Sequence, residues 1–359
     1  MTGFRDGLPG PAVWSNIRRM KVIYSPKQEL HAPESFISSG RVLPSPECPE
    51  RADRLFAAVR GAGHEITAPD PAPESAIAAI HSIDYLRFLA TAHTRWQALP
   101  TPSPSVIPNM HPGRHMDHYP AHVVGQAGWH MADTACPIGP GTWEAARAAA
   151  DCAVTAAADV LSNGSPAYAL CRPPGHHAYH DQAGGFCFLN NVAIAADWVR
   201  EQGHRAAILD IDVHHGNGTQ GIFYHRKDIY FVSIHADPSN FYPFFAGYAG
   251  ERGAGEGLGF NLNLPQAPGT GDEGWLQTID YALTELQRNG TEVLLLSLGL
   301  DPQENDPLGV LKITTEGFRR AGAAISAFPG PVAIIQEGGY LCEELGANLA
   351  AFLDGFENG

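Results

Sequence analysis

"LDIDVHHGNGTQ", residues 209–220, follows the apolar run Ala206-Ala207-Ile208-Leu209 and crowds Asp210, Asp212, His214 and His215 together. Carboxylates at the end of a buried segment are costly unless something compensates them. The stretch therefore reads as a buried strand with a site at its carboxyl end, where open α/β sheets keep their ligands. In a strand, residues two apart share a face, so Asp210, Asp212 and His214 are expected to project together. A carboxylate and an imidazole so placed can close on one divalent ion. Zinc accepts this N/O set and keeps a position open in catalytic sites.

Outward from that stretch, strand-like and helix-like segments alternate. Strands are expected near 22–24, 167–171, 206–212, 229–234, 258–264, 293–299 and 331–336. Helices are expected near 50–61, 142–161, 191–202, 274–288, 315–327 and 343–354, with Thr142 as an N-cap and Gly203 just past a helix end. Val293-Leu294-Leu295-Leu296 and Val332-Ala333-Ile334-Ile335 are continuously apolar, as strands covered on both faces are. The alternation predicts a single α/β domain, residues 20–359, with a central, mostly parallel sheet and helices on both faces. Residues 1–19 precede the strand-like "MKVIYS" and read as an N-terminal extension.

Composition narrows the function classes. The 359 residues are 44% hydrophobic, enough for a full core, and the formal net charge is −15. That charge disfavours nucleic acid and suits a cationic ligand. No run of eighteen apolar residues appears, so no membrane partner is expected. The N-terminus lacks the apolar core of a signal peptide. Cys48, Cys136, Cys152, Cys171, Cys187 and Cys342 show no C-x-x-C spacing, which points to a reducing cytoplasm.

A third ligand is wanted beside Asp212 and His214. "SLGLDPQENDP" (297–307) offers Asp301 at the end of an apolar strand, with Asp306 as the alternative further into the loop. Such an oxygen-rich shell suits Zn²⁺ and also Fe²⁺, Co²⁺ or Mn²⁺. "CRPPGHHA" (171–178) supplies His176 and His177 after another strand, a base and its electrostatic partner, with Asp210 free to orient one ring. "QEGGY" (336–340) brings Tyr340 to the same edge, where a phenol can donate to a developing oxyanion. "GAGEGLG" (253–259) precedes a strand and reads as a hairpin or pocket-edge loop, not a dinucleotide turn. The proline-rich insertion at about 97–126 carries His111, His115, His118 and His122. A loop of that length is expected to line a pocket or an oligomer contact rather than to bind metal.

Taken in order, "RPPGHHA…GGFCFLNN", "DIDVHHGNGTQ", "SIH", "GLGFNLNLP", "SLGLDP" and "EGGY" resemble the histone deacetylase family, which shares its fold with arginase. The start "MKVIYS", "PGTWEAA" and the long insertion are most similar to bacterial acetylpolyamine amidohydrolases. The resemblance implies a zinc-dependent amide hydrolase with ligands Asp212, His214 and Asp301. It implies His177 as general base and acid, His176 as its support, and Tyr340 as the group that polarises the acyl carbonyl. A structural K⁺ would be held by Asp210 and Ser233 with the backbone carbonyls of Asp212, His214 and Ile234. Gly185, Phe186 and Tyr242 would wall a narrow acyl tunnel. The implied partners are a small acetylated amine and a second copy of the chain in a homodimer.

Two positions depart from the family pattern. Asn217 stands where some members carry an aspartate beside the second histidine, and Tyr242 replaces a wall phenylalanine. In addition, residues 97–126 supply only Asp117 as a carboxylate. Three other functions compete: deacetylation of acyl-lysine in proteins or of another small amide, arginase-like dimanganese hydrolysis, and an inactive binding module. The dimanganese site wants more carboxylates than stand here, and an inactive module would have lost a ligand, the histidine pair or the tyrosine.

Overall fold

The computed structural model describes residues 20–359. The expected extension over residues 1–19 lies outside them.

Among the described residues, ten strands run in chain order: β1 Lys21–Ile23, β2 Ser35–Ser38, β3 Arg41–Pro44, β4 Glu65–Thr67, β5 Ala167–Ala169, β6 Ala206–Asp210, β7 Tyr230–Ala236, β8 Asn261–Gln266, β9 Val293–Leu298 and β10 Val332–Gln336. The helices are α1 Pro49–Gly61, α2 Glu74–Ile80, α3 Ile83–Gln97, α4 Val123–His130, α5 Thr142–Asn163, α6 Asn191–Glu201, α7 Asn217–Phe223, α8 Asp272–Asn289, α9 Thr315–Ser326 and α10 Leu345–Asn358. Among the described residues, none of these helices is long and apolar enough to cross a membrane.

Eight strands form one sheet in the order β4-β1-β5-β10-β9-β6-β7-β8, with every neighbouring pair parallel. β2 and β3 make a separate antiparallel hairpin. Alternate side chains divide between two cores. Ile208, Leu295, Ala333 and Ile335 meet α2, α3, α5 and α6 on one face. Leu209, Leu294, Leu296 and Ile334 meet α1, α8, α9 and α10 on the other. These leucines and isoleucines are fully buried, each contributing roughly 1.5–3 kcal/mol of apolar transfer. The central strands are apolar throughout because both of their faces are covered.

The order positions the site. β5, β10, β9 and β6 are successive neighbours, and being parallel they end on one edge. Their following loops are the four motif segments, "CRPPGHHA", "QEGGY", "SLGLDP" and "DIDVHHG". Segments far apart in sequence thus meet at the carboxyl edge.

Some expectations need correction. β6 stops at Asp210, not 212, so strand alternation does not align Asp212 and His214. Two consecutive Asx-type turns do: the Asp212 N–H donates to Asp210 Oδ1 at 3.1 Å, and the His214 N–H donates to Asp212 Oδ1 at 2.9 Å. Gly141, not Thr142, occupies the α5 N-cap position. Thr142 Oγ1 instead accepts from the Gly139 N–H at 2.8 Å. The glycine-rich 253–259 stretch holds a short 3₁₀ turn, Gly255–Gly257, ahead of β8.

Candidate active site

Asp212, His214 and Asp301 come together at the carboxyl ends of β6 and β9, with one donor atom of each within 4.8 Å of the others. His214 Nδ1 lies 3.2 Å from both Asp212 Oδ1 and Asp301 Oδ2. Both carboxylates are fully buried. Among the described residues, neither forms an ion pair with lysine or arginine; their partners are imidazoles. Burial, and then the charge of Asp212, push Asp301 up to about 6. Burial would also raise Asp212, but His176 and His214 outweigh it and hold the carboxyl well below the usual range. Two carboxylates facing one imidazole nitrogen, with no lysine or arginine among the described residues paired to them, fit a divalent metal ion, and the N/O/O donor set suits zinc. Asp306, the alternative ligand, is used elsewhere.

Glycines let the strand ends close in. A Cβ on Gly299 would lie 2.2 Å from Asp212 Oδ2, and one on Gly338 would lie 2.2 Å from Asp301 Oδ2. The Gly338 N–H donates to Asp212 Oδ2 at 2.8 Å, fixing the carboxylate from the β10 side. The Val213 N–H fixes Asp301 Oδ1 at 2.9 Å.

The tandem histidines sit in contrasting surroundings. His176 Nδ1 is 2.9 Å from Asp210 Oδ2. Burial would depress the imidazole, but Asp210 and Asp212 lift it to about 10. His177 Nδ1 faces Asn217 Oδ1 at 2.6 Å. An amide oxygen only accepts, so the Nδ1 proton stays on the ring and Nε2 is left with its lone pair. Burial, then His176 and His214, push His177 well below its ordinary value. Environments that drive two neighbouring titratable groups apart separate a base from a cation.

Tyr340 reaches the same cavity from β10. Its backbone N–H donates to Asp306 Oδ2 at 2.7 Å, while Oδ1 accepts from the Leu308 N–H at 2.8 Å. Asp306→Asn would turn one of these acceptors into a donor. The expected result is a loss of about 1–3 kcal/mol of stability in urea unfolding, the cost of an unsatisfied buried group, with turnover reduced as Tyr340 shifts.

A cavity of about 340 Å³ descends between Phe186 and Tyr242 to His177, His214 and Tyr340. Gly185 and Phe186 both hold positive φ, 50° and 68°, and a Cβ on Gly185 would lie 2.4 Å from the His177 ring. The non-glycine strain at Phe186 aims its ring at the cavity wall, edge-on to Tyr340 at 5.7 Å. The Tyr242 ring meets His177 at 4.9 Å and 88°. Asp210 and Ser233 are fully buried partners in register on β6 and β7, with Ile234 next in the strand.

Several supports carry no sequence signal of their own. Glu337 is buried and accepts from the N–H groups of Gly175 and His176 at 2.7 and 3.0 Å, so it holds the histidine loop. Arg51, on α1, donates to the carbonyls of Gly339 and Glu337 at 2.6 and 2.8 Å and lies over the Tyr340 ring at 4.8 Å. Buried Glu47 pairs with Arg51 and Arg172. A charged "PER" at a helix start ordinarily reads as a solvated face. Asp133 also lines the cavity. The insertion does not: none of residues 97–126 is among the lining residues, and His111, His115, His118 and His122 are exposed.

Comparisons with known proteins identify the chain's relatives. The sequence pattern of the histone deacetylase domain matches residues 45–356. An acetylpolyamine amidohydrolase of Burkholderia pseudomallei (strain 1710b) is 47% identical over 345 residues, 94% of this chain and 98% of that protein. Acetylpolyamine amidohydrolase 1 of Pseudomonas aeruginosa is 40% identical over 343 residues, 94% of this chain and 99% of that one. The crystal structure of acetylpolyamine aminohydrolase from Burkholderia pseudomallei superposes with a TM-score of 0.91, covering 94% of this chain and 99% of that chain. With the domain pattern spanning most of its length and relatives matched nearly end to end, this chain belongs to the histone deacetylase family.

Proposed function

We propose that the chain is a metal-dependent amide hydrolase that removes the acetyl group from a small acetylated amine, of the acetylpolyamine class for which its relatives are named. The observation that carries this is the cavity lined by Phe186 and Tyr242 together with His177, His214 and Tyr340. A slender acyl amine can bring its carbonyl to all three side chains there.

Asp212, His214 and Asp301 would hold the metal ion, with Zn²⁺ the best match to the donor set. A bound divalent ion supplies Lewis acidity for the acyl carbonyl and lowers the pKa of water. His177, protonated on Nδ1 by its bond to Asn217, presents Nε2 to take a proton from the attacking water. The same nitrogen returns that proton to the leaving amine. His176, paired with Asp210, stays cationic beside it and favours the developing negative charge. Tyr340 donates its hydroxyl proton in a hydrogen bond to the carbonyl oxygen as charge gathers there. Gly185, Phe186 and Tyr242 exclude water from the acyl group.

Asp210 and Ser233, with the backbone carbonyls of Asp212, His214 and Ile234, would hold K⁺. The support is a fully buried carboxylate and hydroxyl in register on adjacent strands. The exposed Met110, Met116 and Tyr119 of the insertion favour a homodimer seated on that segment, which sedimentation would test.

The test of function is turnover of N-acetylputrescine, N-acetylcadaverine and an acetyl-lysine peptide by metal-stripped protein before and after adding zinc. The expected result is activity restored by zinc and highest on the small amines. Preference for the peptide would replace the substrate assignment.

A further inference from the structure

The Tyr242 hydroxyl, an extra polar group on the tunnel wall, is not left free for substrate. It donates to Asp133 Oδ2 at 2.7 Å. The same oxygen accepts from the Gly185 N–H at 3.0 Å, and Oδ1 accepts from the Ala135 N–H at 2.8 Å. Asp133 reaches this place because the preceding segment is zipped to the glycine loop: the Ala132 N–H donates to the Ala183 carbonyl at 2.7 Å. The carboxylate is thus tied to both walls, one of which stands edge-on to His177.

Asp133 is the one carboxylate among the residues lining this cavity, and no lysine or arginine lines it. The side chain is half-buried. Its oxygens take the three N–H and O–H donors above and, at 3.7 Å to Oδ1, the weak thiol donor of Cys136, so an ammonium in the cavity would share an already bonded oxygen and meet its negative charge. The chain's net charge of −15 further favours a cation approaching it.

We propose that Asp133, held in place by Tyr242, is the specificity-determining residue that takes the distal ammonium of a cationic acylamine in the tunnel. It rests on the small-amine assignment above and names the residue responsible. The hydroxyl of Tyr242 acts through Asp133 as a positioning group: it fixes where the negative charge sits. The substrate class is an acetylated alkylamine with a second, protonated nitrogen a few methylenes from the amide.

The experiment compares N-acetylputrescine with N-butylacetamide, which has the same alkyl chain and no ammonium, on the zinc-reconstituted full chain. The wild type is expected to prefer the cation. In Asp133→Asn, kcat/KM for the cation is expected to fall by about 10- to 100-fold, the worth of a hydrogen bond to a charged group. Most of that loss should appear in KM, and the loss on the neutral amide should be several-fold smaller. Tyr242→Phe should raise KM for the cation, and that effect should vanish in the Asp133→Asn background. Equal losses on both amides in Asp133→Asn, or an intact cation preference, would overturn the proposal and leave the deacetylase assignment standing. A wild type inactive on both amides yet active on an acetyl-lysine peptide would instead overturn the small-amine assignment.

Discussion

His177→Ala is expected to lower kcat by about 10²- to 10⁴-fold with a much smaller change in KM, the usual worth of a positioned general base. Of the two imidazoles, only His177 has a nitrogen free to accept a proton at neutral pH. Its Nδ1–H is committed to Asn217 Oδ1, and burial together with cationic His176 keeps the ring neutral. His176 is raised to about 10, because Asp210 and Asp212 outweigh its burial, so it is already protonated. His176→Ala should therefore cost less than His177→Ala. Steady-state kinetics on both variants decide the assignment, and a reversed order would exchange the two roles.

The pH profile gives an independent check. The acid limb of kcat/KM reports the base in the free enzyme. With His177 held below its ordinary 6.5, wild-type activity should already be developed at mildly acidic pH. Asn217→Asp places a carboxylate against Nδ1, which favours the charged imidazole and raises its pKa. The acid limb must then move to higher pH. A limb that stays put in Asn217→Asp belongs to some other group.

How much of this was legible in the sequence depended on distance along the chain. The late strands were readable because both of their faces are buried, so Val293–Leu298 and Val332–Gln336 are plain apolar runs. The early elements were harder. β1 was read near 22–24 from "MKVIYS", but β4 is three residues and the β2–β3 hairpin is partly exposed, so neither of those carries a pattern long enough to register. Helix α2 is only seven residues long, and α3 was passed over although Tyr85, Phe88, Leu89, Ala92 and Trp96 give it a helical apolar spacing. Asp212, His214, Asp301, His176, His177 and Tyr340 stood out as candidates because each lies just past a strand on one sheet edge, and polar residues there contrast with the apolar run. Glu337 and Asp306 sit in the same motifs but work through backbone N–H groups, a role no side-chain spacing announces. Arg51 and Asp133 approach from segments outside the edge altogether. Only the three-dimensional path of the chain brings Arg51 under Tyr340 and Asp133 beside Tyr242.

Tyr340→Phe should cost about 10²- to 10³-fold in kcat, the measured range for deleting one oxyanion donor in other hydrolases. The substitution keeps the ring, so its edge contact with Phe186 at 5.7 Å and the Arg51 guanidinium at 4.8 Å both survive. The backbone anchor on Asp306 is untouched as well. Only the O–H donor is lost. That donor is present at any working pH: burial drives the phenol well above its ordinary value, and the opposing pull of Arg51 does not bring it back. Because the carbonyl oxygen gains charge as the reaction proceeds, the hydrogen bond strengthens beyond its ground-state worth. The loss must then fall on kcat, with KM little changed. A variant that loses affinity and keeps kcat would make Tyr340 a binding group, and unchanged kinetics would move the oxyanion contact to another side chain.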